Sequence, residues 1–212
     1  MKRVLFLILL LSLILPAEGF KIAAVAGYKQ PITAVVKAFE QETNSSIDLL
    51  FSNMQQSIQH AKSGDIALII GDKSYLTKKS LLSIDTYTQM GYGKVVVAFA
   101  RNIDVVDTNL SILIDNKITK IAMPQPQKAI YGVAGEEMLK TTALYDQVKD
   151  KLYIVATVPQ VVTYLITGEV EAGIINLTAY LANKEKLGKM IEINSKLYTP
   201  IEIVAGSLKG CD

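Results

Sequence analysis

The stretch Ile22-Ala-Ala-Val-Ala-Gly-Tyr-Lys-Gln-Pro-Ile32 sets an apolar strand, a glycine and a helix start in succession. That order suits the capture of an anion. The first N–H groups of a helix have no intrahelical partner, and the helix dipole adds partial positive charge there. Gly27 lets backbone approach a ligand closely, and Tyr28 adds a second N–H. The same glycine also serves as a plain tight corner, because it tolerates conformations that other residues avoid. The residues alone leave both possibilities open.

Three more places raise the same choice. Ser52 and Asn53 carry a hydroxyl and an amide where a second helix begins, and both types also cap helices. Tyr131 offers a phenol to a ligand or an aromatic ring to the core. Asn176, at the end of an apolar run, binds a ligand or its own local backbone.

Other chemistries are excluded more sharply. The chain has one histidine, His60, and one cysteine, Cys211. A zinc site of several His and Cys ligands cannot be built, nor an internal disulfide, nor a Ser-His-Asp triad unless His60 is its base. His60 lies in a polar helical stretch and is expected at the surface. Neither a Walker pattern nor a Gly-rich dinucleotide turn follows the first strand, which rules out a nucleotide site of either kind. Glu136 and Glu137 are adjacent on a helix and diverge, which is not acid–base geometry. The expectation is a binding protein without catalytic residues or cofactor.

The elements that must position these groups alternate along the chain. Apolar runs near Lys21–Ala26, Ser46–Phe51, Asp65–Gly71, Gly93–Arg101, Tyr153–Thr157 and Glu171–Leu177 alternate with helical segments. One helix runs through Pro31–Thr43, with Ile32, Val35, Val36 and Phe39 at helical spacing. Pro31 suits its first turn, where a missing N–H costs nothing. Strands alternating with helices predict an α/β fold with mostly parallel sheets covered on both faces. In such sheets, ligands lie beyond the carboxyl ends of the strands.

Residues 1–19 form a separate unit. Lys2 and Arg3 precede an apolar run from Val4 to Leu15, followed by Pro16 and the small-residue site Ala17-Glu18-Gly19. This is the layout of a secretory signal peptide, cleaved near Gly19–Phe20. No cysteine lies near that point to carry a lipid anchor. Without these residues the chain has 20 basic and 19 acidic side chains, from totals of 22 and 20. Such a balance gives no electrostatic footprint for nucleic acid.

Four segments together resemble the periplasmic molybdate-binding proteins of ABC importers, which have the type II periplasmic-binding-protein fold. They are Ala38–Thr43 (AFEQET), Ala61–Asp72 (AKSGDIALIIGD), Lys149–Thr178 (KDKLYIVATVPQVVTYLITGEVEAGIINLT) and Leu197–Gly210 (LYTPIEIVAGSLKG). Their order and spacing carry the resemblance, which runs from about Lys21 to Lys209. It implies two α/β lobes, residues 20–96 with 200–212 and residues 97–199. The chain would cross between them near Val96–Phe99 and Thr199–Ile203. It also implies an exported monomer in the periplasm that holds a small oxyanion in the interlobe cleft, by hydrogen bonds rather than metal coordination. Its partner would be an ABC permease in the inner membrane.

Carried over residue by residue, the family's first ligand serine falls on Gly27, with Tyr28 beside it. The second falls on Met54, beside Ser52 and Asn53. The helix start that supplies a backbone donor falls on Ile130-Tyr131-Gly132, and a second donor pair on Thr157-Val158. The ligand tyrosine falls on Asn176. The frame is kept while several hydroxyl ligands are exchanged: Gly27 has no hydroxyl, the Met54 side chain cannot donate, Tyr131 adds a phenol and Asn176 an amide. These exchanges leave two alternatives, a relative that keeps the fold as a sensor or interaction module, and a binder of a different anion. Family members continue beyond the Lys-Gly pair with further helix, whereas this chain stops at Asp212. The expected result is exposed apolar surface on the first lobe.

Overall fold

The computed structural model describes residues 20–106 and 109–209. The assigned leader, residues 1–19, and Cys211 lie outside the described residues. Each apolar run near the N-terminus forms a strand, and each is followed by the helix that the 3.6-residue pattern predicts. They are β1 (Phe20–Val25) and α1 (Lys29–Thr43), β2 (Ile47–Ser52) and α2 (Met54–Ser63), then β3 (Ile66–Asp72) and α3 (Lys73–Lys79). A single 3-10 turn, Ala26–Tyr28, joins β1 to α1. β4 (Ile84–Gly93) and β5 (Val95–Phe99) follow.

The second half contains β6 (Ile121–Pro124), α4 (Ile130–Thr141), α5 (Tyr145–Val148), β7 (Leu152–Val155) and α6 (Val158–Thr167). It closes with β8 (Ala172–Asn176), α7 (Leu177–Asn183), β9 (Met190–Glu192) and β10 (Ile201–Leu208). These strands make two five-stranded sheets, ordered β2-β1-β3-β10-β4 and β7-β6-β8-β5-β9. Helices pack on both faces of each, which is the two-lobed α/β architecture expected.

The sheets are mixed. Strands joined through helices run parallel, as in β2-β1-β3 and β7-β6-β8. The strands added from the crossing segments run antiparallel: β10 and β4 in the first sheet, β5 and β9 in the second. Antiparallel neighbours need no covering crossover helix, so the parallel core extends without one. The chain changes sheet at Lys94, between β4 and β5, and returns through 198–200 into β10. The first change thus precedes the Val96–Phe99 segment, which lies wholly inside β5.

β4 had no clear signal in the sequence. Most of its residues are exposed, and Thr, Gln and Tyr replace the apolar alternation of a half-buried strand. β5 is the opposite case, five consecutive apolar residues with every one buried. On α1 the expected stripe splits. Ile32 and Val36 are buried, whereas Val35 is 62% and Phe39 is 48% exposed. These last two border an apolar groove of about 470 Å³ on the first sheet, with Phe20, Leu68 and Met90. His60 is exposed on α2, as expected.

One close approach fixes the start of α4 against the end of β6. A Cβ at Gly132 would run into the carbonyl oxygen of Pro124 and stand 2.8 Å from the carbonyl carbon of Gln125. Both obstacles are backbone, so neither can swing aside. Gly132→Ala is expected to lower unfolding free energy by about 1–3 kcal/mol, the usual cost of forcing extra volume into packed structure. Urea denaturation of the variant checks this; an unchanged midpoint would show that α4 can slide on β6.

Candidate functional site

The 3-10 turn after β1 meets the second sheet directly. The Gly27 carbonyl oxygen accepts a hydrogen bond from Nδ2 of Asn176 at 2.8 Å. Asn176 ends β8 opposite Val95 of β5, and is 1% exposed. A Cβ built on Gly27 would stand 3.4 Å from Asn176 Oδ1 and 3.6 Å from Cγ2 of Val158. Gly27, Val158 and Asn176, placed far apart by the sequence, therefore share one point between the lobes.

Val158 reaches that point as the first residue of α6, and its helix start is fully accounted for. Thr157 Oγ1 accepts the N–H of Gln160 at 3.4 Å, and Gln160 Oε1 accepts those of Ala156 at 2.9 Å and Thr157 at 3.2 Å. Pro159 has no N–H. Of the first turn's donors this leaves Val158, whose N–H lies at the positive end of the helix. Gln160 escaped the sequence reading, although Thr-x-x-Gln is a capping-box pattern.

A second interlobe contact lies beside the crossing segment. The phenols of Tyr28 and Tyr131 hydrogen-bond to each other, with their rings edge-on at 6.0 Å and 60°. Both side chains are buried. Any Cβ at Gly93, the last residue of β4, would collide with the Tyr131 hydroxyl and stand 2.9 Å from that of Tyr28. Burial pushes both phenols well above the ordinary tyrosine value, and so holds them neutral. Nearby, burial also raises the Asp72 carboxyl, opposed by the Tyr75 N–H that it accepts at 2.7 Å. On the returning segment, Tyr198 Oη accepts the Val95 N–H at 3.2 Å, and Glu137 accepts that of Thr199 at 2.7 Å.

Ser52, Asn53 and Met54 are held differently. Asn53 caps α2, with Oδ1 accepting the Gln56 N–H at 2.9 Å. Ser52 Oγ lies 2.9 Å from Ser57 Oγ and 3.3 Å from the Asn53 carbonyl oxygen. The Met54 side chain is buried against Gly71, in the first lobe. All three side chains are thus engaged within the first lobe. The Met54 N–H, at the first position of α2, has no intrahelical acceptor. Gly132 serves by letting α4 begin close to β6, as described above.

Two clefts flank these contacts. One, of about 320 Å³, is lined by Asp72, Tyr75, Lys78, Ile130 and Thr199. The other, of about 250 Å³, is lined by Gly27, Lys29, Thr163, Thr178 and Asn183. Among the described residues, no group of three or more His, Cys, Asp or Glu could hold a metal ion, and no helix is long and apolar enough to cross a membrane.

The phenol pair gives a pH dependence. Above the free tyrosine value near pH 10 the unfolded chain loses both protons while the folded chain keeps them. The stabilisation is therefore complete below about pH 10 and is lost as pH rises through the raised folded values. Urea midpoints between about pH 8 and pH 11.5 should fall more steeply for the wild type than for a Tyr28→Phe/Tyr131→Phe variant. Equal slopes would mean that the phenols ionise freely in the folded protein.

Comparison with known proteins places this geometry in a family. The family model described as "Bacterial extracellular solute-binding protein" matches residues 20–212. YvgL of Bacillus subtilis, named as an ABC transporter substrate-binding lipoprotein, is 32% identical over 122 residues. That stretch is 58% of this chain and 46% of YvgL, so it spans a little under half of the relative. The molybdate-binding protein ModA of Azotobacter vinelandii is 24% identical over 198 residues, covering 91% of this chain and 78% of ModA. The solved periplasmic molybdate-binding protein of the same organism superposes with a TM-score of 0.80 at 19% identity, covering 90% of this chain and 86% of that one. PEB3 with L-phospholactate bound superposes at 0.72 with 12% identity, covering 91% and 88%. These superpositions establish the two-lobed periplasmic-binding fold. With a family model matching residues 20–212, the chain belongs to the bacterial extracellular solute-binding proteins, a family of binding proteins and not of enzymes.

Proposed function

We propose that this protein captures a small oxyanion, of the size and shape of molybdate or tungstate, between its two lobes and delivers it to an ABC permease in the inner membrane. In this view residues 20–96 with 200–212 form one lobe, and 97–199 the other. The leader exports the chain to the periplasm, where it works as a monomer. The observation that carries the proposal is the meeting of Gly27 with Val158 and Asn176 across the lobes. Backbone donors from Gly27, Tyr28, Met54 and Val158 would hold the anion, with neutral phenols nearby. A dianion can be held in this way without an arginine or lysine. Closure would follow from the ligand touching both lobes only in the closed state, which shifts the population toward it. The likeness to ModA in sequence and fold supports molybdate as a ligand to test first.

A second function has specific support. Tyr131 is 1% exposed, and its phenol is bound by Tyr28 of the other lobe. Side chains thus supply an interlobe bond of their own, as in a relative that keeps the closed fold as a sensor or interaction module.

Calorimetry and thermal shift with molybdate, tungstate, sulfate and phosphate separate the two. A ligand present at 100 times its dissociation constant should stabilise the fold by about 2.7 kcal/mol. Failure of all four anions to stabilise the protein would leave the sensor or interaction module.

A further inference from the structure

Three asparagines head the Asn-x-Ser/Thr pattern of N-linked glycosylation: Asn44, Asn109 and Asn176. Such acceptors work from an exposed surface, so the fold sorts them. Asn176 is 1% exposed, and its Nδ2, the atom that would take the sugar, is bound to Gly27 and Thr178. Asn109 is exposed, but its side chain caps a 3-10 turn, with Oδ1 accepting the Ser111 N–H at 3.1 Å. Asn44 is exposed together with Ser45 and Ser46, in the loop between α1 and β2. Among the described residues its side chain has no hydrogen-bond partner.

Local structure favours Asn44 further. Its backbone is left-handed, with φ at 54°, a conformation that asparagine tolerates better than most residues and that ends α1 there. The last turn of a helix opens at little cost, so the segment can straighten into an enzyme's groove. Glu42, also exposed, stands two positions earlier and completes Glu-Thr-Asn-Ser-Ser. Bacterial acceptor sites carry an acidic residue there, where it can pair with a cationic side chain of the transferase. Position fits as well. β2 runs six residues from this loop to Ser52, so about 20 Å of strand separates Asn44 from the end of the sheet where Val25 pairs with Ser52. A glycan on Asn44 would leave the space between the lobes clear. Ser45 lines the apolar groove of about 470 Å³, so the sugar would add solvated bulk at the rim of that surface.

We propose that Asn44 is an N-glycosylation site, which receives an oligosaccharide from a polyprenyl-pyrophosphate donor after export. Nδ2 of Asn44 forms a bond to the anomeric carbon of the first sugar. The bond from that carbon to the pyrophosphate oxygen breaks, and polyprenyl pyrophosphate leaves with the electron pair. A carboxylate of the transferase takes one amide proton. The proposal rests on the export proposed above and is independent of anion capture.

Incubation of the purified full chain with a bacterial oligosaccharyltransferase and its polyprenyl-pyrophosphate oligosaccharide tests this, read by intact mass and peptide mapping. Because the chain is already purified, the outcome does not depend on export. The mass of one oligosaccharide should map to Asn44, with none at Asn176. Ser46→Ala, which keeps Asn44 but breaks the pattern, should abolish the modification at Asn44, and Glu42→Ala should reduce it. Thermal melting checks that each variant is folded; should one not fold, the wild-type map decides alone. A folded wild-type chain that stays unmodified at Asn44 would overturn the proposal, as would modification of Asn44 that survives Ser46→Ala. Either result leaves anion capture standing.

Discussion

Among the hydrogen bonds that join the lobes, two hold the turn after β1 against the second lobe, and the candidate site is built around them. One runs from the Asn176 amide to the Gly27 carbonyl, the other between the phenols of Tyr28 and Tyr131. Each couples the turn after β1 to an element of the second sheet. The phenol pair is buried and the Asn176 bond partly so, and losing a partner at either would strand a polar group largely out of water. The rest of the architecture serves to bring these groups into register. β5 sets Val95 opposite Asn176, and Gly93 has no side chain where the two phenols meet.

The helix starts around this point differ in how much of their donor capacity remains. At α6 the capping box takes every first-turn N–H except that of Val158, because Pro159 has none to offer. At α2, Asn53 and Gln56 form a similar box, and the side chains of Ser52 and Met54 are turned to their own lobe. Capping would be compatible with the anion capture proposed above, since each cap secures its turn and leaves the N–H of Val158 or Met54 without an intrahelical acceptor. Neutral phenols would suit the proposed anion site. An ionised tyrosinate would repel an anion, whereas burial keeps both protons in place.

The segments that cross between the two sheets are short. Only Lys94 separates β4 from β5, and only 198–200 lead into β10. Yet both are tied down, by Tyr198 to the Val95 N–H and by Glu137 to the Thr199 N–H. In the function proposed above, connections this short would favour two discrete arrangements of the lobes over continuous deformation.

The sequence by itself determined what is local. Periodicity marked β1, β2, β3 and the helices after them, and glycine and proline marked their ends. Composition excluded an internal disulfide and a zinc site of several His and Cys ligands, and the ordered segments gave the family. β4 was not legible, because an exposed strand has no apolar alternation to betray it. Nor were the exposures of Val35 and Phe39, because spacing gives a face but not what covers it. The tertiary structure alone decided which distant residues meet between the lobes. Gly27 and Asn176 are 149 residues apart, and Tyr28 and Tyr131 are 103 apart. No local pattern encodes contacts at that range. Whether Asn176 offers an amide proton or a bare oxygen is settled only by which carbonyl lies beside it in the folded chain.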